Sequence, residues 1–249
     1  MRMRSTNPVF ASIEKSNDYV IEGGASYRGI TIKTGLFFLV TVLTVFFVHT
    51  AIRTGNNLDL VIAGLALSGI VGFVSVIIAS FVPRLAMIFG FLYAFAQGFF
   101  LGFLTFIADL YAPGTALTAL IGTGAVFLVM LFLYRSKTIR VTSRFRKVMI
   151  TSLFSIVIFM VLFGILNYAG IFAGLQIPFP VLFLINVFLI LFAALMLTLD
   201  FDRAESIVEG GADSRYEWIV SLGLMITLIW LYVQMIRLII LIVSSRSRS

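Results

Sequence analysis

The chain has 249 residues, of which 61% are hydrophobic and 12% charged, with a mean hydropathy of +1.11 and a net charge of +7. Soluble domains are about 45–50% apolar and about 25% charged, so the composition excludes a soluble domain and indicates a membrane protein. The absence of cysteine excludes disulfides and thiolate chemistry, and the basic residues lie in short connectors, which is typical of membrane orientation rather than of nucleic-acid binding.

In chain order, the sequence predicts a polar tail, seven membrane-spanning helices and a short basic tail. The first 34 residues lack the apolar core of a signal peptide and are expected to form a cytoplasmic tail. A helix needs about 20 mostly apolar residues to cross a bilayer. The fold class is therefore an all-α integral membrane protein with a transmembrane domain at 35–243 and a tail at 244–249. The predicted spans are Gly35–Ile52, Leu58–Val82, Leu85–Ala108, Gly114–Tyr134, Val148–Phe172, Phe179–Leu199 and Trp218–Val243.

The positions of lysine and arginine predict the orientation, because these residues are enriched in cytoplasmic connectors. If the N-terminus is cytoplasmic, fourteen of them lie on the cytoplasmic side, six of these in the connector between Arg135 and Lys147, and three lie outside. The sequence therefore predicts a multi-pass protein of the plasma (inner) membrane with its C-terminus outside. The basic connector could also bind anionic lipid.

The stretch LMLTLDFDRAE, Leu195–Glu205, ends the sixth span with the aspartates Asp200 and Asp202. A carboxylate that closes a span is often only interfacial, where its cost is small. The functional interpretation is that Asp200 pairs with Arg84, which ends the second span on the same side, and thereby blocks a route through the helices. Protonation would remove half of that pair. Six of the eleven acidic residues lie in the predicted loop after this span: Asp200, Asp202, Glu205, Glu209, Asp213 and Glu217.

Enzyme chemistry is not expected from these residues. The single histidine, His49, cannot supply the H-E-x-x-H motif of a metalloprotease. Asp200 and Asp202 share one helix end, whereas an aspartyl protease needs two carboxylates that face one water. The acidic segment also lacks the ligand spacing of an EF-hand, so no tight metal site and no cofactor are predicted.

Several stretches resemble the Bax inhibitor-1 family, the transmembrane Bax inhibitor motif proteins. The C-terminal third, Leu195–Ile239, resembles the family's aspartate-terminated sixth helix, acidic loop and seventh helix with its pattern MIRLI. YAFAQGFFLG (Tyr93–Gly102) resembles the third-helix motif, and STNPVF (Ser5–Phe10) resembles a prokaryotic branch of the family. The seven-span layout extends this resemblance along nearly the whole chain.

The resemblance implies six helices around a central seventh, and a pH-sensitive calcium leak that two aspartates and an arginine close as a latch. Asp200 matches the aspartate that ends helix six, and Arg84 matches the arginine. The aspartate of helix seven is expected at about Thr227, so the paired-aspartate sensor does not transfer to this chain. The acids that could take over its role are Glu217, Asp202 and Asp213.

Two functions from different classes follow from this resemblance. The first is a channel-like protein in the lipid bilayer that passes cations, with calcium as the expected ion, under control of the Asp200–Arg84 latch. The second is a stress-related membrane protein that transports nothing and modulates a membrane protease or another membrane-protein partner. Asp200 and Arg84 should control flux in the first case and matter little in the second.

Overall fold

The computed structural model describes residues 24–172 and 177–246. Within these ranges, seven α-helices are long and apolar enough to cross a membrane, and the only β-pairing is an isolated bridge between Gly24 and Asp213. The prediction of an all-α, seven-span protein is confirmed, while the arrangement around a central helix stays a prediction. The helices are α1 (Tyr27–Thr54), α2 (Leu58–Phe81), α3 (Ala86–Tyr111), α4 (Thr115–Arg135), α5 (Ser143–Tyr168), α6 (Phe179–Glu209) and α7 (Tyr216–Arg246).

The predicted N-terminal tail falls largely outside the described residues, as do the motif at Ser5–Phe10 and the end of the C-terminal tail. Where the chain enters the described part, α1 begins at Tyr27, eight residues before the predicted start of the first span. Ser26 caps this helix, because its side chain accepts a hydrogen bond from the Gly29 amide at 3.0 Å. The cap explains why α1 starts among polar residues.

The chain divides into two compact units. Unit 1 comprises Met1–Ala116 and Asp200–Ile229, and in its described part it contains α1, α2, α3, the end of α6 and the beginning of α7. Unit 2 comprises Leu117–Leu199 and Trp230–Ser249. It contains almost all of α4, together with α5, the apolar part of α6 and the second half of α7.

In unit 1, α3 packs closely against α1 and α2 through small residues. A Cβ at Gly98 or Gly102 would collide with Thr44 or Val48 of α1, so both positions require glycine for this approach. The hydroxyl of Thr41 crosses the same contact and donates to the Ala94 carbonyl at 3.0 Å. The GFFLG pattern at 98–102 therefore serves close helix packing, as such patterns do in membranes.

The predicted loop after the sixth span is mostly helical. Helix α6 has 31 residues, from Phe179 to Glu209, which corresponds to about 46 Å at 1.5 Å per residue and exceeds the roughly 30 Å of a bilayer core. The helix ends at Gly210 and Gly211, where Gly211 has φ of 64°. The loop prediction was wrong because the segment from Asp200 to Glu209 contains no helix breaker, and polar residues need only lie outside the hydrocarbon, not outside a helix.

Candidate functional site

The carboxylate of Asp200 faces α7 and accepts a hydrogen bond from Thr227. The distance from Thr227 Oγ1 to Asp200 Oδ2 is 2.6 Å, which is typical of a hydroxyl that donates to an ionised carboxylate. Thr227 is buried, and Asp200 is partly buried. The position at which the resemblance implies a second aspartate is thus occupied by the hydroxyl that bonds Asp200.

Gly223 lies one turn before Thr227 on the same face of α7, beside the carboxylate, where a Cβ would make only an ordinary van der Waals contact. A Cβ at this position would lie 3.5 Å from Asp200 Oδ1. The Gly223 carbonyl is also 3.3 Å from Thr227 Oγ1. Because a hydroxyl carries one proton, Thr227 can donate fully either to Asp200 or to its own helix. The shorter contact goes to Asp200.

Asp200 and Asp202 lie on different sides of α6. Two residues in an α-helix are separated by about 200°, so neighbours at this spacing cannot share a site. Asp202 instead shares its face with Glu205 and Glu209, at the i, i+3 and i+7 positions. The expectation that Asp202 lies in a loop beside Asp200 was wrong, because the helix continues through both residues.

Arg84 does not form the expected ion pair with Asp200. Pro83, Arg84 and Leu85 form a 3-10 turn before α3, and the Arg84 side chain is exposed. Among the residues that the structure describes, ion pairs are formed by Lys33 with Glu217 and by Arg215 with Asp213. The direct aspartate–arginine contact is therefore absent from this conformation, in which the Asp200 carboxylate points to Thr227.

Glu217, at the beginning of α7, is engaged by α1 and by the residue that caps it. Its Oε2 lies 2.6 Å from Lys33 Nζ, and its Oε1 accepts hydrogen bonds from the Ser26 amide at 2.6 Å and the Ser26 hydroxyl at 3.2 Å. Lys33 also donates to the Ser214 carbonyl at 2.9 Å and lies over the Trp218 ring. We refer to Ser26, Lys33 and Glu217 as the clasp. Glu217 was considered as a replacement for the helix-seven aspartate, but its carboxylate is engaged by Ser26 and Lys33 in the clasp.

Two further contacts join the beginning of α1 to the beginning of α7 and to the turn that precedes it. The Ala25 amide donates to the Ala212 carbonyl at 2.7 Å, and the Ser221 hydroxyl donates to the Ile30 carbonyl at 3.0 Å. Asp213, another candidate acid, accepts from the Arg215 amide at 2.7 Å and lies 3.6 Å from the Arg215 side chain. Asp213 therefore closes a local turn.

Residues 7–244 match the family described as Bax inhibitor 1 like. The chain belongs to the Bax inhibitor 1-like family. No curated protein and no solved structure matches it.

This Bax inhibitor 1-like chain also has a neutral polar pair in unit 2. Gln234 Oε1 accepts a hydrogen bond from Asn186 Nδ2 at 3.0 Å. Both side chains are buried. Asn186 was missed, although an amide eight residues into an apolar span is a recognisable signal. The pair links α6 to α7.

Sequence reasoning for this Bax inhibitor 1-like protein also missed Ser26, Lys33 and Gly223. Lys33 and Glu217 are separated by 184 positions, and neither belongs to a motif that points to the other. Lys33 was assigned only to the cytoplasmic charge count. A lysine placed at the edge of an apolar span was the available signal, since such a residue commonly has a partner.

Proposed function

We propose that this protein is a pH-regulated cation leak in which Asp200 is the titrating gate and calcium is the expected cargo. The observation that carries the proposal is the environment of Asp200. Its carboxylate is partly buried between two apolar helices, and a hydroxyl, rather than a lysine or arginine, bonds it. Intramembrane acids of this kind commonly mark ion or proton pathways.

The hydrogen bond gives the gate two states. When Asp200 is ionised, the Thr227 hydroxyl donates to it in a charge-assisted bond that holds α6 against α7. When Asp200 is protonated, its own O–H can donate to Thr227, whose proton then turns to the Gly223 carbonyl. The neutral bond is weaker, so acidification loosens this contact and favours passage.

The acidic face of α6 supports cations as the cargo. Asp202, Glu205 and Glu209 follow one another along one face of the helix beyond its apolar part. Carboxylates arranged in this way raise the local concentration of cations at the mouth of a pathway. A leak needs only weak attraction of this kind, because a cation that is bound tightly at the mouth would not pass on.

The distribution of lysine and arginine supports the orientation that this function needs. With the N-terminus in the cytoplasm and the C-terminus outside, Asp200 and the acidic face of α6 lie on the cytoplasmic side of the plasma membrane. The gate would then respond to cytoplasmic pH.

Calcium flux into dye-loaded liposomes tests the proposal. The parent should pass more calcium than empty liposomes, with higher flux at pH 6 than at pH 8. Asp200→Asn should give equal flux at both values, because its side chain cannot ionise. Thr198→Val is the matched control, since it removes a buried hydroxyl two positions away that donates to the Leu195 carbonyl of its own helix. It should keep the parent's pH response.

Arg84→Ala separates the two versions of the gate. If Arg84 pairs with Asp200 in another conformation, this variant should raise flux at pH 8; if the Thr227 contact alone closes the pathway, flux should be unchanged. A parent that passes no more calcium than empty liposomes at any pH would contradict the leak. That outcome would favour the second function, in which the protein modulates a membrane-protein partner.

A further inference from the structure

Unit 2 has a groove on the side of α5. The groove has a volume of about 500 Å³ and is lined by Lys147, Val148, Thr151, Ser152, Ser155, Ile156 and, from α6, Phe188. This volume falls within the range of about 300–1,000 Å³ that ligand sites occupy. None of these residues belongs to the clasp or to the Asp200 site.

The lining is ordered along the helix. Lys147, Thr151 and Ser155 follow one another at four-residue intervals and form one wall, and Val148, Ser152 and Ile156 form a parallel row. Lys147 and Ser155 are separated by about 12 Å at 1.5 Å per residue. The groove therefore has a cationic end and continues for about two helical turns into an apolar part of the chain, where Phe188 covers one side.

All charged side chains in unit 2 are basic. No aspartate or glutamate occurs between Asp109 and Asp200 or after Glu217, so Leu117–Leu199 and Trp230–Ser249 contain no acid. Arg140, Arg144 and Lys147 are exposed and have no ion-pair partner among the described residues. An anion that neutralises this end of the groove is not supplied by unit 2.

The groove opens sideways from a helix that buries almost nothing. Of the described residues of α5, Met149 alone is buried, and Phe188 is 56% exposed. The most apolar part of α5 has a mean hydropathy of 2.7. Because side chains this apolar are exposed, this surface of the helix faces hydrocarbon. The occupant of the groove must therefore be amphiphilic, with an anionic end and an apolar body that lies parallel to the helix.

We propose that this groove binds an anionic phospholipid of the bilayer. The headgroup phosphate contacts Lys147 at the membrane surface, and one acyl chain lies along Thr151 to Ser155 against Phe188. Basic pockets between transmembrane helices are known to hold such headgroups. A zwitterionic lipid would fill the same space without compensating the lysine, so the site distinguishes the two by charge.

Native mass spectrometry of the purified protein in detergent tests the site, with phosphatidylglycerol and phosphatidylcholine of identical acyl chains as probes. The parent should retain phosphatidylglycerol in preference. K147Q should lower this retention about five-fold, the loss expected for one lysine near an anionic surface, and leave phosphatidylcholine unchanged. K137Q is the matched control, because it removes the same charge from the same connector but does not line the groove. It should bind as the parent does.

A second pair of variants tests the acyl-chain part of the groove. S155F fills the groove and should lower the retention of both lipids, whereas V157F adds the same ring to an exposed position outside it and should lower neither. Equal losses in K147Q and K137Q would overturn the proposal, because they would show only diffuse attraction by the connector. Displacement of phosphatidylglycerol by inorganic phosphate alone would also overturn it, since the acyl chain would then contribute nothing.

Discussion

Glu217 belongs to the first half of α7 and Asp200 contacts that half, yet the two carboxylates have different hydrogen-bond partners. Glu217 has a lysine, a backbone amide and a hydroxyl within hydrogen-bond distance, so its negative charge is compensated. Asp200 accepts a hydrogen bond from one hydroxyl, and the nearby Arg203 attracts it without a direct ion pair among the described residues. Breaking a compensated buried pair costs several kcal/mol, whereas a carboxylate held by a hydroxyl can gain a proton and keep a hydrogen bond. We therefore expect Glu217 to stabilise the fold, and we propose Asp200 as the carboxylate that changes its charge.

The largest expected effect is at the clasp. Lys33→Met leaves Glu217 buried without a cation and should lower the free energy of unfolding by about 3–5 kcal/mol. Thermal unfolding in detergent measures this change. Lys33→Arg keeps the charge and should lose less, and the double variant Lys33→Met with Glu217→Gln should recover part of the loss. A loss below about 1 kcal/mol in Lys33→Met, as for an exposed ion pair, would remove the distinction between the two carboxylates.

At the other carboxylate, Thr227→Val removes the hydroxyl that donates to Asp200. We expect a loss of about 1.5–3 kcal/mol, which is the range for a hydrogen bond to a charged group. Because the bond is stronger to an ionised carboxylate, the loss should be larger at pH 8 than at pH 5. Urea or thermal unfolding at both pH values checks this prediction. An equal loss at the two values would mean that the charge of Asp200 does not change between them.

A smaller loss of stability is expected when a methyl group is added beside the clasp. A Cβ at Gly29 would collide with the Glu217 carboxylate, so Gly29→Ala should cost about 1–3 kcal/mol. Gly35 lies on the same helix, and a methyl group at that position would have nothing within 4 Å. Gly35→Ala should therefore be neutral or stabilising by up to about 1 kcal/mol. If both variants behave alike in thermal unfolding, the carboxylate does not occupy the space beside Gly29.

The smallest effect is expected at the neutral pair. Gln234→Leu deprives Asn186 of its acceptor and should cost about 0.6 kcal/mol, with about 1.7 as the upper value for such bonds in membranes. Thermal unfolding in detergent measures this loss too, and the Asn186→Leu and Gln234→Leu double variant should cost no more than the single one. A loss as large as that of Lys33→Met would show that charge is not what distinguishes the clasp.

The amino-acid sequence predicted the seven helices because each apolar stretch has the length that a bilayer requires. It placed Asp200 at the end of the sixth span, and the resemblance to the Bax inhibitor-1 family marked Thr227 as the position where that family has an aspartate. The end of α6 was missed, since hydropathy reports where a helix leaves the hydrocarbon and not where it stops. Arg84 was expected beside Asp200 because both end spans on one side, but membrane depth does not specify which way a side chain turns.

The clasp could not be predicted from residue patterns. Ser26, Lys33 and Glu217 come together only when the beginning of α1 meets the beginning of α7, and the sequence offers no periodic signal for that contact. Gly29 is likewise one of 20 glycines. The need for glycine at this position becomes clear only from the Glu217 carboxylate that lies beside it. Long-range polar contacts of this kind depend on packing, which apolar patterns specify weakly.

Infrared difference spectroscopy between pH 8 and pH 5 tests most directly which carboxylate gains a proton. The protein should be reconstituted in liposomes, and the spectra of the parent, Asp200→Asn and Glu217→Gln compared. We predict that a protonated-carboxyl band of the parent disappears in Asp200→Asn and persists in Glu217→Gln. A band that persists in Asp200→Asn and disappears in Glu217→Gln would contradict the account, because the clasp would then be the site that senses pH.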